Sequence, residues 1–62
     1  MFNQFKNGDK VLVRGIGQNN KKHYNGVIAE VIERDPYFKD YHIRFEDGSE
    51  DWLLPKYLLK LN

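Results

Sequence analysis

Turn-forming residues interrupt this chain about every ten residues, the spacing of an all-β barrel or sandwich. Glycine or proline marks each interruption, at Gly8, in residues 15–22, at Pro36, at Gly48 and at Pro55. The segments between them are long enough for five short strands. This spacing therefore predicts an all-β protein.

The clearest strand signal is the alternation of apolar and polar side chains over residues 41–45. An Asp-Gly pair at residues 47–48 predicts a hairpin after it, with residues 50–54 as the returning strand. The remaining elements follow in order: a strand at residues 10–14, a strand with a β-bulge at residues 24–34, a single 3₁₀ turn at residues 55–57, and a short strand or tail at residues 58–61. We place a bulge in the second strand because its apolar residues do not alternate cleanly, and because Gly26 and a β-branched run disfavour a helix.

Five strands in 62 residues predict a sheet that bends onto itself, because a flat sheet would expose one apolar face. The bend buries a set of apolar residues together: Val11, Val13, Ile28, Val31, Ile43, Leu53 and Leu58. Tyr41, Phe45 and Trp52 also fit this core. We therefore predict one small five-stranded barrel domain over residues 1–62.

The absence of cysteine leaves the fold without disulfides or a thiolate zinc site. A chain this short buries only about 60% of the surface that its unfolded form exposes, so aromatic rings must supply much of the core. No segment approaches the roughly 20 apolar residues of a membrane helix, and the N-terminal residues lack a signal-peptide core. We expect a cytoplasmic protein, and the lysine- and asparagine-rich composition is typical of a bacterial or phage chain.

Motifs on the predicted strands occur in a recognisable order: Gly8-Asp9-x-Val11-x-Val13, Tyr24-x-Gly26-x-Ile28-x-x-Val31, Tyr41-x-Ile43-x-Phe45-x-Asp47-Gly48, then Leu53 and Leu58. Over about residues 5–61 this order resembles the Tudor branch of the SH3-like barrels. Residues 43–49 are similar to the V-x-F-x-D-G-S phrase of Tudor domains. KOW-like modules, which open with the same Gly-Asp-x-Val-x-Val pattern, are the second resemblance. The resemblance implies a small SH3-like (Tudor-like) five-stranded barrel with a short 3₁₀ turn before the last strand.

The Tudor resemblance also implies a type of binding site. Tudor domains that bind methylated lysine or arginine hold the cation in a cage of aromatic faces. Tyr24 matches the cage wall at the start of the second strand, and Phe45 matches the wall at the end of the third. Gly15 stands where the first wall would be, and Gly48 and Asp51 stand at the fourth. The resemblance thus implies two of the four walls.

We predict a non-catalytic binding module that recognises a protein or a basic peptide through an aromatic and acidic rim. The rim residues are Tyr24, Phe45, Asp47, Glu50 and Trp52. Acidic residues in the predicted hairpin favour a basic ligand. Trp52 and the two rim aromatics could serve either the core or the binding site, and the sequence leaves both roles open.

A nucleic-acid-binding, KOW-like module is the alternative, because a basic first hairpin beside an aromatic ring can form an electrostatic groove with a stacking platform. Its residues are Lys10, Arg14, Lys21, Lys22 and Tyr24. A third alternative is a structural component of a larger assembly that docks through exposed aromatics.

Enzymatic activity is not expected from this sequence. The two histidines and the single serine form no catalytic or metal-binding spacing, and the glycines at 15 and 17 precede no helix that could bind phosphate. We expect no cofactor, no metal, no small-molecule substrate and no membrane partner.

Overall fold

A computed structural model describes residues 5–61 of the protein, which form a single antiparallel sheet. Its strands are β1 (Lys10–Val13), β2 (Ile28–Arg34), β3 (Tyr41–Phe45), β4 (Glu50–Leu53) and β5 (Leu58–Lys60). Two 3₁₀ turns, Lys22–Tyr24 and Pro55–Tyr57, precede β2 and β5. The predicted all-β class, the five strands and the 3₁₀ turn before the last strand are confirmed. None of the described residues belongs to a helix long and apolar enough to cross a membrane.

The strand order is β4-β3-β2-β1-β5, so the last strand returns to pair with the first. Val11 lies opposite Ala29 on β2 and opposite Lys60 on β5. The strands wrap around one core, which makes the fold barrel-like. The ladder is not closed by hydrogen bonds, because β4 and β5 each pair with one neighbour and only the turn at Pro55–Tyr57 connects them.

The second strand contains a β-bulge, but it lies at Ile32 and not between Ile28 and Val31, the spacing that led to the prediction. Val31 pairs with Ile43, whereas the next pair on the ladder joins Glu33 to His42, so two residues of β2 advance against one of β3. A β-bulge increases the local twist and bends its strand. The bulge therefore helps a short sheet to curve around its own core.

The core consists of the inward-facing residues of all five strands with one loop residue: Val11, Val13, Ile16, Ala29, Val31, Tyr41, Ile43, Phe45, Leu53 and Leu58. The core prediction for Ile28 was wrong, and Trp52, whose role the sequence left open between the core and a contact surface, is partly exposed. Ile28 is 42% exposed and Ala29 is buried in its place, because β2 begins at Ile28 and its pairing turns Ala29 and Val31 inward. Trp52 is 37% exposed, because strand alternation turns it outward while Leu53 faces the core.

The hairpin between β3 and β4 has a three-residue loop of residues 46–48. The Gly48 N–H donates to the Phe45 carbonyl at 3.0 Å, and the Phe45 N–H donates to the Ser49 carbonyl at 2.8 Å. Gly48 has φ of 90°, the left-handed region that glycine enters without a steric cost. The Asp-Gly hairpin prediction is confirmed in its bulged, three-residue form.

Candidate functional site

Tyr24 and Phe45 meet at the end of the barrel that carries the β3–β4 hairpin. Their rings stack with centroids 4.4 Å apart and planes inclined by 22°. Phe45 ends β3, as predicted. The prediction that Tyr24 begins the second strand was wrong, because Tyr24 lies in the 3₁₀ turn and the chain turns again at Gly26, whose φ is 86°.

An open groove of about 470 Å³ lies between the first 3₁₀ turn and the hairpin. We call it the hairpin groove, and it is lined by His23, Tyr24, Val27, Phe45, Glu46, Asp47 and Ser49. The rings and Val27 supply an apolar floor that packs on the core. Glu46 and Asp47 are exposed and form no ion pair among residues 5–61. The groove therefore combines apolar surface with uncompensated negative charge.

Asp51 anchors the aromatic stack from the neighbouring strand. It faces inward opposite Ile43 on β3, and its carboxylate accepts hydrogen bonds from the Tyr24 hydroxyl at 2.8 Å and from the Trp52 N–H at 2.7 Å. The Lys21 ammonium lies 3.4 Å from the same carboxylate. Burial tends to raise the pKa of Asp51, but these donors outweigh it and hold the pKa below its ordinary value. In return, the hydrogen bond to Asp51 raises the pKa of the Tyr24 hydroxyl.

Asp47 shapes the tip of the hairpin. Its Oδ1 accepts hydrogen bonds from the Ser49 hydroxyl at 2.6 Å and from the Ser49 N–H at 2.9 Å. These bonds lower the pKa of Asp47. The carboxylate is therefore ionised at neutral pH.

Glu50 and Trp52 lie on the outer face of β4, away from the hairpin groove. Glu50 accepts hydrogen bonds from Arg44 at 3.0 Å and pairs with His42 at 2.8 Å, and the bond from Arg44 is the main reason that the pKa of Glu50 is lowered. Trp52 stacks on His42 with centroids 4.7 Å apart. The structure thus brings together Tyr24, Phe45 and Asp47 of the predicted rim and separates the other two, because strand residues two apart share a face.

The predicted basic set is also divided. Lys21 is paired with Asp51, and Tyr24 is occupied by the Phe45 ring and the same carboxylate. Lys10 lies on the outer side of β1, Arg14 is exposed directly after that strand, and Lys22 is exposed in the 3₁₀ turn. Over the described residues, the fold does not gather these cations around the tyrosine ring.

Four residues that line the hairpin groove were absent from the predicted sites: His23, Val27, Glu46 and Ser49. Asp51, which binds the Tyr24 hydroxyl beside the groove, was also absent. A signal for Asp51 was present in the sequence, since the Asp-Gly hairpin places residue 51 opposite Ile43 and hence on the inner face. Val27 carried no such signal, because its position follows from the turn at Gly26.

The two aromatic rings of the groove stack on each other. A cation held by aromatic rings must lie over their faces, and the facing sides of Tyr24 and Phe45 cover each other. Residues 5–61 contain no group of three or more metal-ligating side chains. Comparisons of the chain with protein-family models, with curated proteins and with solved structures gave no match.

Proposed function

We propose that the protein is a non-catalytic binding module that recognises a protein or a basic peptide through the hairpin groove. The observation that carries the proposal is the pairing of an apolar floor, made by Tyr24, Val27 and Phe45, with two exposed carboxylates on one rim. A basic side chain can place its apolar stem on the floor and its charge at the rim. The resemblance to Tudor-like barrels also implies that Tyr24 and Phe45 are binding residues. It therefore supports this end of the barrel as the binding surface.

The unpaired carboxylates of the groove favour a ligand of positive charge. Glu46 and Asp47 form no ion pair among the described residues, so a cationic ligand gains electrostatic attraction without displacing a resident partner. Because Tyr24 and Phe45 stack on each other and do not stand as two walls around a cation, the proposed site does not depend on methylation of the ligand.

The nucleic-acid alternative has less support. Lys21 is paired with Asp51, and Glu46 and Asp47 would repel phosphate from the ring that a base would need. Lys10, Arg14 and Lys22 remain the cations by which nucleic acid would be recognised.

The test is an NMR titration of ¹⁵N-labelled protein with a synthetic peptide of alternating lysine and alanine, compared with the same peptide carrying glutamate for lysine. We expect shifts at Tyr24, Val27 and residues 45–49 with the lysine peptide alone. The variant Glu46→Gln should weaken binding, whereas Glu33→Gln, an exposed carboxylate at the end of β2, is the matched control. Equal binding of both peptides would contradict the proposal.

A second titration with single-stranded and duplex DNA distinguishes the alternative. Salt-sensitive shifts at Lys10, Arg14 and Lys22 would favour nucleic-acid binding. Methylated and unmodified lysine peptides should shift the same amides to the same extent, and a strong preference for the methylated peptide would restore the aromatic cage.

A further inference from the structure

The most exposed apolar side chains of the described residues lie at the opposite end of β3 from the hairpin groove. Tyr37 is 88% exposed and Phe38 is 69% exposed, in the loop between β2 and β3. We call these two residues the aromatic tip. Exposed aromatic side chains at such density are typical of interaction sites.

The loop holds the aromatic tip in a defined conformation. Asp35 Oδ1 accepts hydrogen bonds from the Tyr37 N–H at 2.8 Å and from the Phe38 N–H at 3.1 Å. The Asp35 N–H donates to the Asp40 carbonyl at 3.0 Å and closes the base of the loop. Because the loop backbone is already ordered, the aromatic tip loses less conformational entropy when it binds a partner.

Charge at the tip matches the hairpin groove. Lys39 directly follows the aromatic pair and is exposed, whereas Asp35 and Asp40 at the loop base are half-buried. The Asp35 carboxylate also accepts the backbone N–H groups of the tip. An aromatic pair next to a cation is complementary to an apolar floor beside Glu46 and Asp47. The volume also agrees, since a cavity of about 150 Å³ accepts a benzene ring and the hairpin groove measures about 470 Å³.

The two surfaces cannot meet within one molecule. The aromatic tip precedes Tyr41 at the start of β3, and the hairpin follows Phe45 at its end. At about 3.3 Å per residue the strand alone separates them by roughly 13 Å. A tip and a groove at opposite ends of one molecule can join only between molecules, in a head-to-tail contact.

We propose that the partner of the hairpin groove is a second copy of this chain, which inserts its aromatic tip and places Lys39 beside Glu46 and Asp47. This inference rests on the proposed function of the groove and names its ligand. Head-to-tail contacts of this kind form a ring when the rotation closes and a filament when it does not. A single small contact predicts weak association, in the high micromolar range or above.

Sedimentation equilibrium and concentration-dependent NMR spectra test the proposal. We expect wild-type protein to associate with rising concentration, with shifts both at residues 37–39 and at the hairpin groove. The double variant Tyr37→Ser/Phe38→Ser should weaken association by at least about tenfold. Leu59→Thr, which removes an exposed apolar residue from β5, is the matched control and should associate as wild type does.

A charge exchange makes the test specific to this contact. Lys39→Glu alone and Glu46→Lys alone should each weaken association, and the variant that combines them should regain it. A mixture of two variants tests the contact directly. The ¹⁵N-labelled Tyr37→Ser/Phe38→Ser protein keeps an intact groove, and the unlabelled Glu46→Lys protein keeps an intact aromatic tip. Adding the unlabelled protein should therefore shift the Tyr24, Val27 and Phe45 signals of the labelled one. Failure of the exchange to restore association would overturn the inference, as would a wild-type monomer at every concentration.

A peptide comparison separates this inference from the proposed function. The labelled Tyr37→Ser/Phe38→Ser variant is titrated with a synthetic peptide of residues 34–40 and, separately, with the lysine-alanine peptide. Groove shifts with the lysine peptide but not with the loop peptide would overturn the second copy as ligand and leave the proposed function standing. Absence of shifts with either peptide would overturn both.

Discussion

Replacing Tyr24 by phenylalanine removes one hydroxyl and leaves the ring in place against Phe45. The lost hydrogen bond joins Tyr24 Oη to Asp51 Oδ2 at 2.8 Å. Hydrogen bonds to charged groups contribute about 1.5–3 kcal/mol. Asp51 keeps Lys21 and the Trp52 N–H as partners, and its side chain is 25% exposed, so we expect Tyr24→Phe to lower the free energy of unfolding by about 1 kcal/mol, below that range.

A loss of this size is large for a domain of 62 residues. A single small core without disulfides supplies about 3–5 kcal/mol. The variant should therefore unfold at a clearly lower urea concentration, with a melting temperature lowered by roughly 4–8 °C. Tyr37→Phe is the matched control, because Tyr37 is almost fully exposed, and its effect should stay within about 0.5 kcal/mol.

The difference between wild type and Tyr24→Phe should depend on pH. The pKa of Asp51 lies below its ordinary value of 3.8, so the stabilisation is complete above that value and is lost as the pH falls through the lowered pKa of the folded state. The pKa of Tyr24 is raised above 10.0, so the stabilisation is complete below pH 10.0 and is lost as the pH rises through the raised pKa. The difference should be constant between about pH 5 and 9 and shrink towards both extremes.

Urea unfolding followed by far-UV circular dichroism from acid to alkaline pH measures this difference. The reasoning would be refuted by a Tyr24→Phe effect no larger than that of Tyr37→Phe at neutral pH. A difference that keeps its full size in acid would show that the hydroxyl does not act through the Asp51 carboxylate.

Three further substitutions test the fold by the same unfolding assay. Gly48→Ala places a side chain at φ of 90° and should cost about 1–2 kcal/mol, whereas Gly17→Ala, at a glycine without a positive φ, should change stability by less than about 0.5 kcal/mol. Asn25→Ala removes side-chain hydrogen bonds to the N–H and carbonyl of Ile16 at 3.0 and 2.9 Å and should cost about 1–2 kcal/mol, with faster hydrogen exchange at the Ile16 amide. Ile43→Ala opens a cavity at a fully buried position and should cost about 2–5 kcal/mol, so a variant as stable as wild type would contradict the single core.

Much of the fold could be predicted because its signals are local. The alternation at residues 41–45, the Asp-Gly pair and Pro55 each act through residues adjacent in the chain. Turn residues restrict φ within a few positions, and alternation follows from the pleat of one strand. For this reason the number and order of the strands, the hairpin and the 3₁₀ turn of residues 55–57 agree with the sequence-based prediction, whereas the start of the second strand does not.

The amino-acid sequence specifies which residue types are available for the barrel and its surface, whereas strand pairing in three dimensions sets how they are combined. Strand pairing turned Ala29 inward and Ile28 outward, because a shift of one residue reverses the face of every side chain. It also brought Asp51 to the hydroxyl of Tyr24, across 27 residues of chain, and placed Glu50 and Trp52 on the other face. Such contacts depend on register and on the turn at Gly26, which no local pattern specifies, so the hairpin groove became visible only in three dimensions.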